Sequence, residues 1–197
     1  MDWVKRIAAE VEPLRDDIYG QRYRCSLTLK DGTFLPCAVL QSKERLVELA
    51  KRRIREEMGG RGHLGGDDPY GQIVGTFVAQ GNRVNDYDVA SASPSRFAIP
   101  LSLLSQIRGE TTMAWTGWGF RMKDGRPFSY GTTFLTEFFQ LPDGYEFSDV
   151  KEVINHSFVS ADGAVTNLQQ GGVLPGPYRS AVILRERAFF SCAVDGV

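Results

Sequence analysis

The chain has 197 residues, 42% of them hydrophobic and 24% charged, with a formal net charge of -1. A chain of this length buries roughly 70% of its unfolded surface without staples and is read as one domain, residues 1–197. The balanced charge excludes a protein that coats nucleic acid or anionic lipid by electrostatics alone. No apolar run approaches the ~18 residues that a membrane span needs.

Residues 2 to 12 read as a short helix. Asp2 can cap it, Trp3, Ile7 and Val11 recur at helical spacing, and Pro13 disrupts it. This N-terminal stretch carries charge throughout and lacks the apolar core of a signal peptide. Tyr23 to Lys30 and Thr33 to Leu40 form a first hairpin around Asp31-Gly32, with Tyr23, Cys25, Leu27 and Leu29 on one face. Arg24, Ser26, Thr28 and Lys30 fall on the other, so the strand reads as half-buried. Cys25 and Cys37 then point to opposite faces. With Cys192 they make an odd set of three, without CxxC spacing, which suits a reduced, cytoplasmic protein.

Ser42 caps a helix running to about Met58, with Gly59 as its stop and Leu46, Leu49, Ala50 and Ile54 as its core stripe. Its exposed face is basic, with Lys51, Arg52, Arg53 and Arg55, and could hold phosphate or an acidic partner. Glu44, Glu48, Glu56 and Glu57 offset the charge, and a solvated face is the expected role. Residues 59 to 71 form an irregular glycine-rich loop. Residues 72 to 80 and 83 to 91 read as a second hairpin across Gly81-Asn82, followed by a short helix from Pro100 to Ile107 that stops at Gly109.

The third hairpin, Thr111 to Leu141, organises the rest. A two-residue turn at Asp124-Gly125 sets Arg121 opposite Phe128, Gly119 opposite Tyr130, Trp118 opposite Gly131 and Trp115 opposite Phe134. That register makes both faces apolar. One holds Trp118, Phe120, Met122 and Leu135, and the other Met113, Trp115, Phe128, Tyr130 and Phe134. Either the hairpin is central or one face receives a partner. Ser148 opens a helix with Val150, Val153, Ile154 and Phe158 on one side, and a Gly/Pro-rich loop covers 160 to 177. Tyr178 to Val194 reads as two strands turning near Arg185-Glu186, or as one long strand.

The expected order is α-ββα-ββα-ββα-ββ. This is an α+β fold, with a predominantly antiparallel sheet built from successive β-hairpins and helices packed on it. The recurrence is in element type, with no sequence repeat beneath it.

Chemical motifs are sparse. Gly60, Gly62 and Gly65 satisfy GxGxxG, but a helix precedes them and a loop follows, the reverse of a dinucleotide site. His63, Asp67 and Asp68 are a compact cluster on a loop too rich in glycine to preorganise metal ligands, so no metal and no cofactor are expected. His156 reads as a structural or surface residue. Cys37 and Cys192, in apolar strand contexts, read as buried small hydrophobes. Glu137, Asp143, Glu146 and Asp149 surround the far end of the third hairpin and read as strand-end charges, although paired carboxylates beside aromatics could serve glycoside hydrolysis.

The expectation is therefore a soluble, non-catalytic interaction protein of adaptor, inhibitor or immunity type. It would bind another protein, or itself, through Trp115, Trp118, Arg121, Phe128 and Tyr130 and through loops 59–71 and 160–177. Nucleic acid and membrane are not expected partners. Two alternatives stand beside this reading: a hydrolase-like enzyme using carboxylates with His63 or His156, and a small-molecule sensor with an aromatic pocket.

Overall fold

The computed structural model describes residues 2–59, 68, 71–73, 75, 81–112, 115–132, 138–155, 158–159, 165–166 and 183–197. The chain is α+β, with few helices and mostly antiparallel sheets. It divides into two compact units, Met1–Ser95 with Phe189–Val197, and Arg96–Ala188.

The first unit opens with α1 (Asp2–Glu10), which buries Val4 and Ile7. β1 (Leu14–Asp16) follows, then β2 (Gly20–Leu29), β3 (Phe34–Ser42) and α2 (Lys43–Met58). β2 and β3 form the hairpin expected from Asp31-Gly32. On its other edge β2 pairs with β1 at Arg22 and with β5 (Val89–Pro94) from Cys25 onward. β3 is bordered by β13 (Phe190–Val194), which runs parallel to it, and β13 by β4 (Arg83–Asn85), also parallel. The sheet is thus mixed. β5 and β4 lie at opposite ends of this path, about 19 Å apart if the sheet were flat. Yet a single 3-10 turn, Asp86–Asp88, joins them. Three such residues rise only about 6 Å, so the sheet must curl to bring the end of β4 near the start of β5.

β2 is buried on both faces rather than half-buried. Tyr23, Cys25 and Leu27 enter the inner core with Val4, Ile7, Leu40 and Val194. On the outer side Arg24 and Ser26 are each only 4% exposed. α2 lies against β3 and β13 and buries Leu46, Leu49 and Ala50. Its start is capped as the sequence indicates, with Ser42 Oγ accepting from the Arg45 N–H.

The second hairpin is a correction. Residues 71–73 and 75 are helical, β4 pairs with β13, and β5 pairs with β2, so 83–91 is two strands of one curled sheet broken by a turn. Residues 74 and 76–80 lie outside the described residues.

In the second unit a short helix, α3 (Leu101–Leu104), precedes β6 (Glu110–Thr112). β7 (Trp115–Met122) and β8 (Pro127–Thr132) form the third hairpin. β9 (Val150–Ile154) pairs with β7, replacing the helix expected from Ser148. Val150, Val153 and Ile154 fit helical spacing, but antiparallel pairing with β7 decides the matter. A two-stranded ribbon, β10 (Phe158–Val159) with β11 (Val165–Thr166), adjoins β7 and β8. β12 (Ile183–Arg185) runs parallel to β8. β12 and β13 therefore do not pair with each other; the C-terminal stretch gives one parallel strand to each unit.

The third hairpin's register is also corrected, by one residue. Trp118 faces Tyr130, Phe120 faces Phe128, Gly119 faces Ser129, and Arg121 faces Pro127. Met122 N–H donates to Arg126 O and Gly125 N–H to Met122 O, so the loop has three residues, with Gly125 at φ +91°. That is a type I turn closed by a left-handed glycine, not the two-residue turn that Asp-Gly suggests. A one-residue shift exchanges every side chain between faces. One face now gathers Trp118, Phe120, Met122, Phe128 and Tyr130, and the other carries Gly117, Gly119, Arg121, Ser129 and Gly131.

The first hairpin has the same turn. Leu29 N–H donates to Thr33 O, Gly32 N–H to Leu29 O, and Gly32 has φ +89°. There a bulge sets Pro36 and Cys37 against Ser26 and pairs Cys25 with Ala38. The parallel between the units goes further. Lys30 N–H donates to Asp88 O, and Lys123 N–H to Asp149 O, each at 2.8 Å. Asp31 Oδ1 accepts from Thr33 N–H, and Asp124 Oδ1 from Arg126 N–H. A 3-10 turn directly precedes β5 and β9 alike, and each strand bulges by one residue, Ala90 or Lys151, opposite the Thr28/Leu29 or Arg121/Met122 step of its partner. A structural repeat therefore underlies the recurrence of element types. Its sequence trace is Lys-Asp-Gly at 30–32 and 123–125, and Asp-Val at 88–89 and 149–150.

Equivalent turns should respond equally to the same change. Neither Gly32 nor Gly125 has an atom within 4 Å of an added Cβ, so Ala there meets only backbone strain. We expect Gly32→Ala and Gly125→Ala each to cost about 1 kcal/mol. Urea unfolding of both variants checks this, and clearly unequal losses would show that the turns differ.

Candidate functional site

The structure draws together most of the aromatic residues singled out from sequence, but as a core. Trp118 and Phe120 are 0% exposed and Tyr130 is 1% exposed. Trp118 and Tyr130 stack at 6.1 Å and 18°, and Phe139 meets Trp118 edge-on at 5.0 Å. Among the described residues neither Trp118 Nε1 nor the Tyr130 hydroxyl finds a hydrogen-bond partner. Ring packing holds this cluster, and burial pushes the Tyr130 phenol up. Phe128 is half-buried and meets Tyr145 edge-on at 5.1 Å. Arg121 lies on the other face, where its Nε donates to Glu152 Oε1 at 2.8 Å across the strand pair. Trp115 belongs to β7, and its side chain lies outside the described residues.

The remaining candidates have local roles or lie outside the description. Glu146 and Asp149 form a reciprocal capping box on the 3-10 turn before β9, which occupies both carboxylates. Asp68 Oδ1 accepts from Gly71 N–H at 2.8 Å. His63, Asp67, Glu137 and His156 lie outside the described residues, as do most of loops 59–71 and 160–177. Cys25, Cys37 and Cys192 are buried and form no disulfide. Burial pushes Cys25 and Cys192 up to about 12, which keeps both thiols protonated and poor as nucleophiles. No helix among the described residues is long and apolar enough to cross a membrane.

A groove of about 330 Å³ lies instead in the first unit, between α2 and the turn joining β1 to β2. The turn is built by Asp16, whose Oδ1 accepts from the N–H groups of Ile18 and Tyr19 at 2.8 and 2.9 Å. Arg22 fixes Asp16 from the next strand at 3.3 Å. At Gly20, φ +76° turns the chain into β2, and a Cβ there would lie 3.7 Å from Arg45 Cγ and Nε. Arg45 thus covers the turn, and the tip residue Ile18 is left 51% exposed.

The helical wall carries the charge. Arg45, Lys51, Arg52 and Arg55 line the groove around Leu49, against two carboxylates, Asp17 and Glu48. Pairing within the helix is loose. Arg45 is 3.8 Å from Glu48 and Arg52 is 4.0 Å from Glu56, while Glu56 is held more closely by Arg53 at 3.1 Å. Among the described residues, neither Lys51 nor Arg55 has a carboxylate within ion-pair distance. From Arg45 to Arg55 the cations extend about 15 Å along the helix. The basic helix was legible in the sequence, but its opposite wall was not. Nothing in residues 14–20 indicates that their turn folds beside α2.

The chain matches no protein-family model, and no curated protein or solved structure shows significant similarity to it.

Proposed function

We propose that the protein is a non-catalytic interaction protein that holds an anionic partner in the groove between α2 and the β1–β2 turn. The convergence of four cationic side chains on one groove, two of them without a carboxylate partner among the described residues, carries this reading. Lys51 and Arg55 are four apart on the helix, a like-charge spacing that destabilises by about 0.2–0.5 kcal/mol. An anion in the groove relieves that repulsion, so the same residues that weaken the free helix favour the complex. The aromatic hairpin serves this function as scaffold. Three buried thiols without a bridge suit work in a reducing compartment.

The test is charge reversal. Both arginines lie on the solvent side of α2, so Arg52→Glu with Arg55→Glu should leave circular dichroism and thermal unfolding close to wild type. Binding of a labelled oligoglutamate, followed by fluorescence anisotropy at low ionic strength, should weaken at least tenfold, as expected from losing two favourable charge contacts. Undiminished binding by the folded variant removes the groove from the account.

A further inference from the structure

Resting on that reading, we infer that the groove's occupant is an acidic peptide segment of another protein, anchored by an aliphatic side chain between Ile18 and Leu49. The charge pattern favours a line over a point. A single phosphate engages a compact fork of donors, whereas Arg45, Arg52 and Arg55 recur at i, i+7 and i+10 along one helical face. A partner with several carboxylates along an extended or helical backbone answers that spacing.

The apolar groups separate a peptide from a nucleic-acid backbone. Ile18 is 51% exposed at the rim, and Leu49, 4% exposed, lies on the floor. On the other side of the cationic strip, Val47 and Met58 are 50% and 82% exposed on the same helix. Cations bordered on both sides by aliphatic groups offer little to a base, because among the described residues no aromatic side chain lines the groove for stacking. They suit a segment that alternates acidic and aliphatic residues, docked as an amphipathic strip in a groove. The carboxylates set orientation and encounter rate, and the aliphatic side chain adds the burial that slows dissociation. Asp17 and Glu48 at the margins repel an acidic chain that strays from the cationic line.

The experiment compares four probes on the intact protein by isothermal titration calorimetry. They are an acidic peptide with a central leucine, the same peptide with serine in its place, inorganic phosphate, and an oligothymidylate. The leucine peptide should bind roughly tenfold tighter than the serine peptide, the gain expected from burying one aliphatic side chain. That difference should collapse in Ile18→Ser, an exposed position whose substitution leaves the fold intact. Equal affinity for the two peptides, or a tenfold gap that persists in Ile18→Ser, overturns the anchor while leaving the anionic groove standing. Tighter binding of phosphate or oligothymidylate overturns the peptide assignment. If none of the four binds, the anionic groove falls as well.

Discussion

A chain ending at Ala188 loses the first unit's fold. β13 is not a trailing edge; it lies between β3 and β4 and is hydrogen-bonded to both. It also places Cys192 and Val194, each 0% exposed, in the inner core. Each such side chain is worth about 1.5–3 kcal/mol, and each ladder hydrogen bond about 0.5–1.5 kcal/mol more. Together they are comparable with the ~5–15 kcal/mol that holds a whole domain folded. Removing residues 189–197 should therefore abolish amide-exchange protection in β2 and β3. The second unit keeps β12 on β8 and the Trp118 cluster, so its exchange protection and Trp118 environment should persist. If both units lose protection together, residues 1–197 fold as one cooperative domain. If neither does, β13 is not integral to the first sheet.

The second large effect is in the aromatic hairpin. Trp118→Ala should cost about 3–5 kcal/mol, because it removes the largest fully buried side chain among the described residues and leaves Tyr130 and Phe139 facing a cavity. The loss should appear in equilibrium denaturation as a lower midpoint. Arg121→Ala is the contrast. It breaks a partly exposed pair with Glu152, of a kind worth at most about 1 kcal/mol. A Trp118→Ala protein as stable as wild type that no longer captures its partner would restore the hairpin as the recognition surface.

The same hairpin shows how far the sequence could be read. Asp124-Gly125 located the turn correctly, but a dipeptide does not specify whether two or three residues close the loop. That single residue moved Phe128 and Tyr130 to the face of Trp118 and turned an apparently two-sided apolar strand pair into a one-sided one. α2 was legible from the Ser42 cap and the Leu46, Leu49, Ala50 stripe, which are local signals. β9 was not. Its helical spacing is overridden by pairing with a strand some thirty residues earlier, a tertiary effect. β4, β5 and β13 fall in segments read as strands, but their pairing escaped for the same reason, since parallel and closing strands bring together residues distant along the chain. The structural repeat had a faint trace in two Lys-Asp-Gly turns, too short to stand out until identical hydrogen bonds marked them. The groove needed two separate segments, of which only the basic helix declared itself.

The most direct measurement is a two-dimensional amide and indole NMR spectrum of the intact protein, titrated with the leucine-bearing acidic peptide. A peptide held in the groove should shift only the Asp17-Ile18 turn and α2 from Arg45 to Arg55, with the Trp118 indole unmoved. Shifts centred on Trp118, Arg121 and Phe128, with α2 silent, would contradict groove binding and return the binding surface to the hairpin.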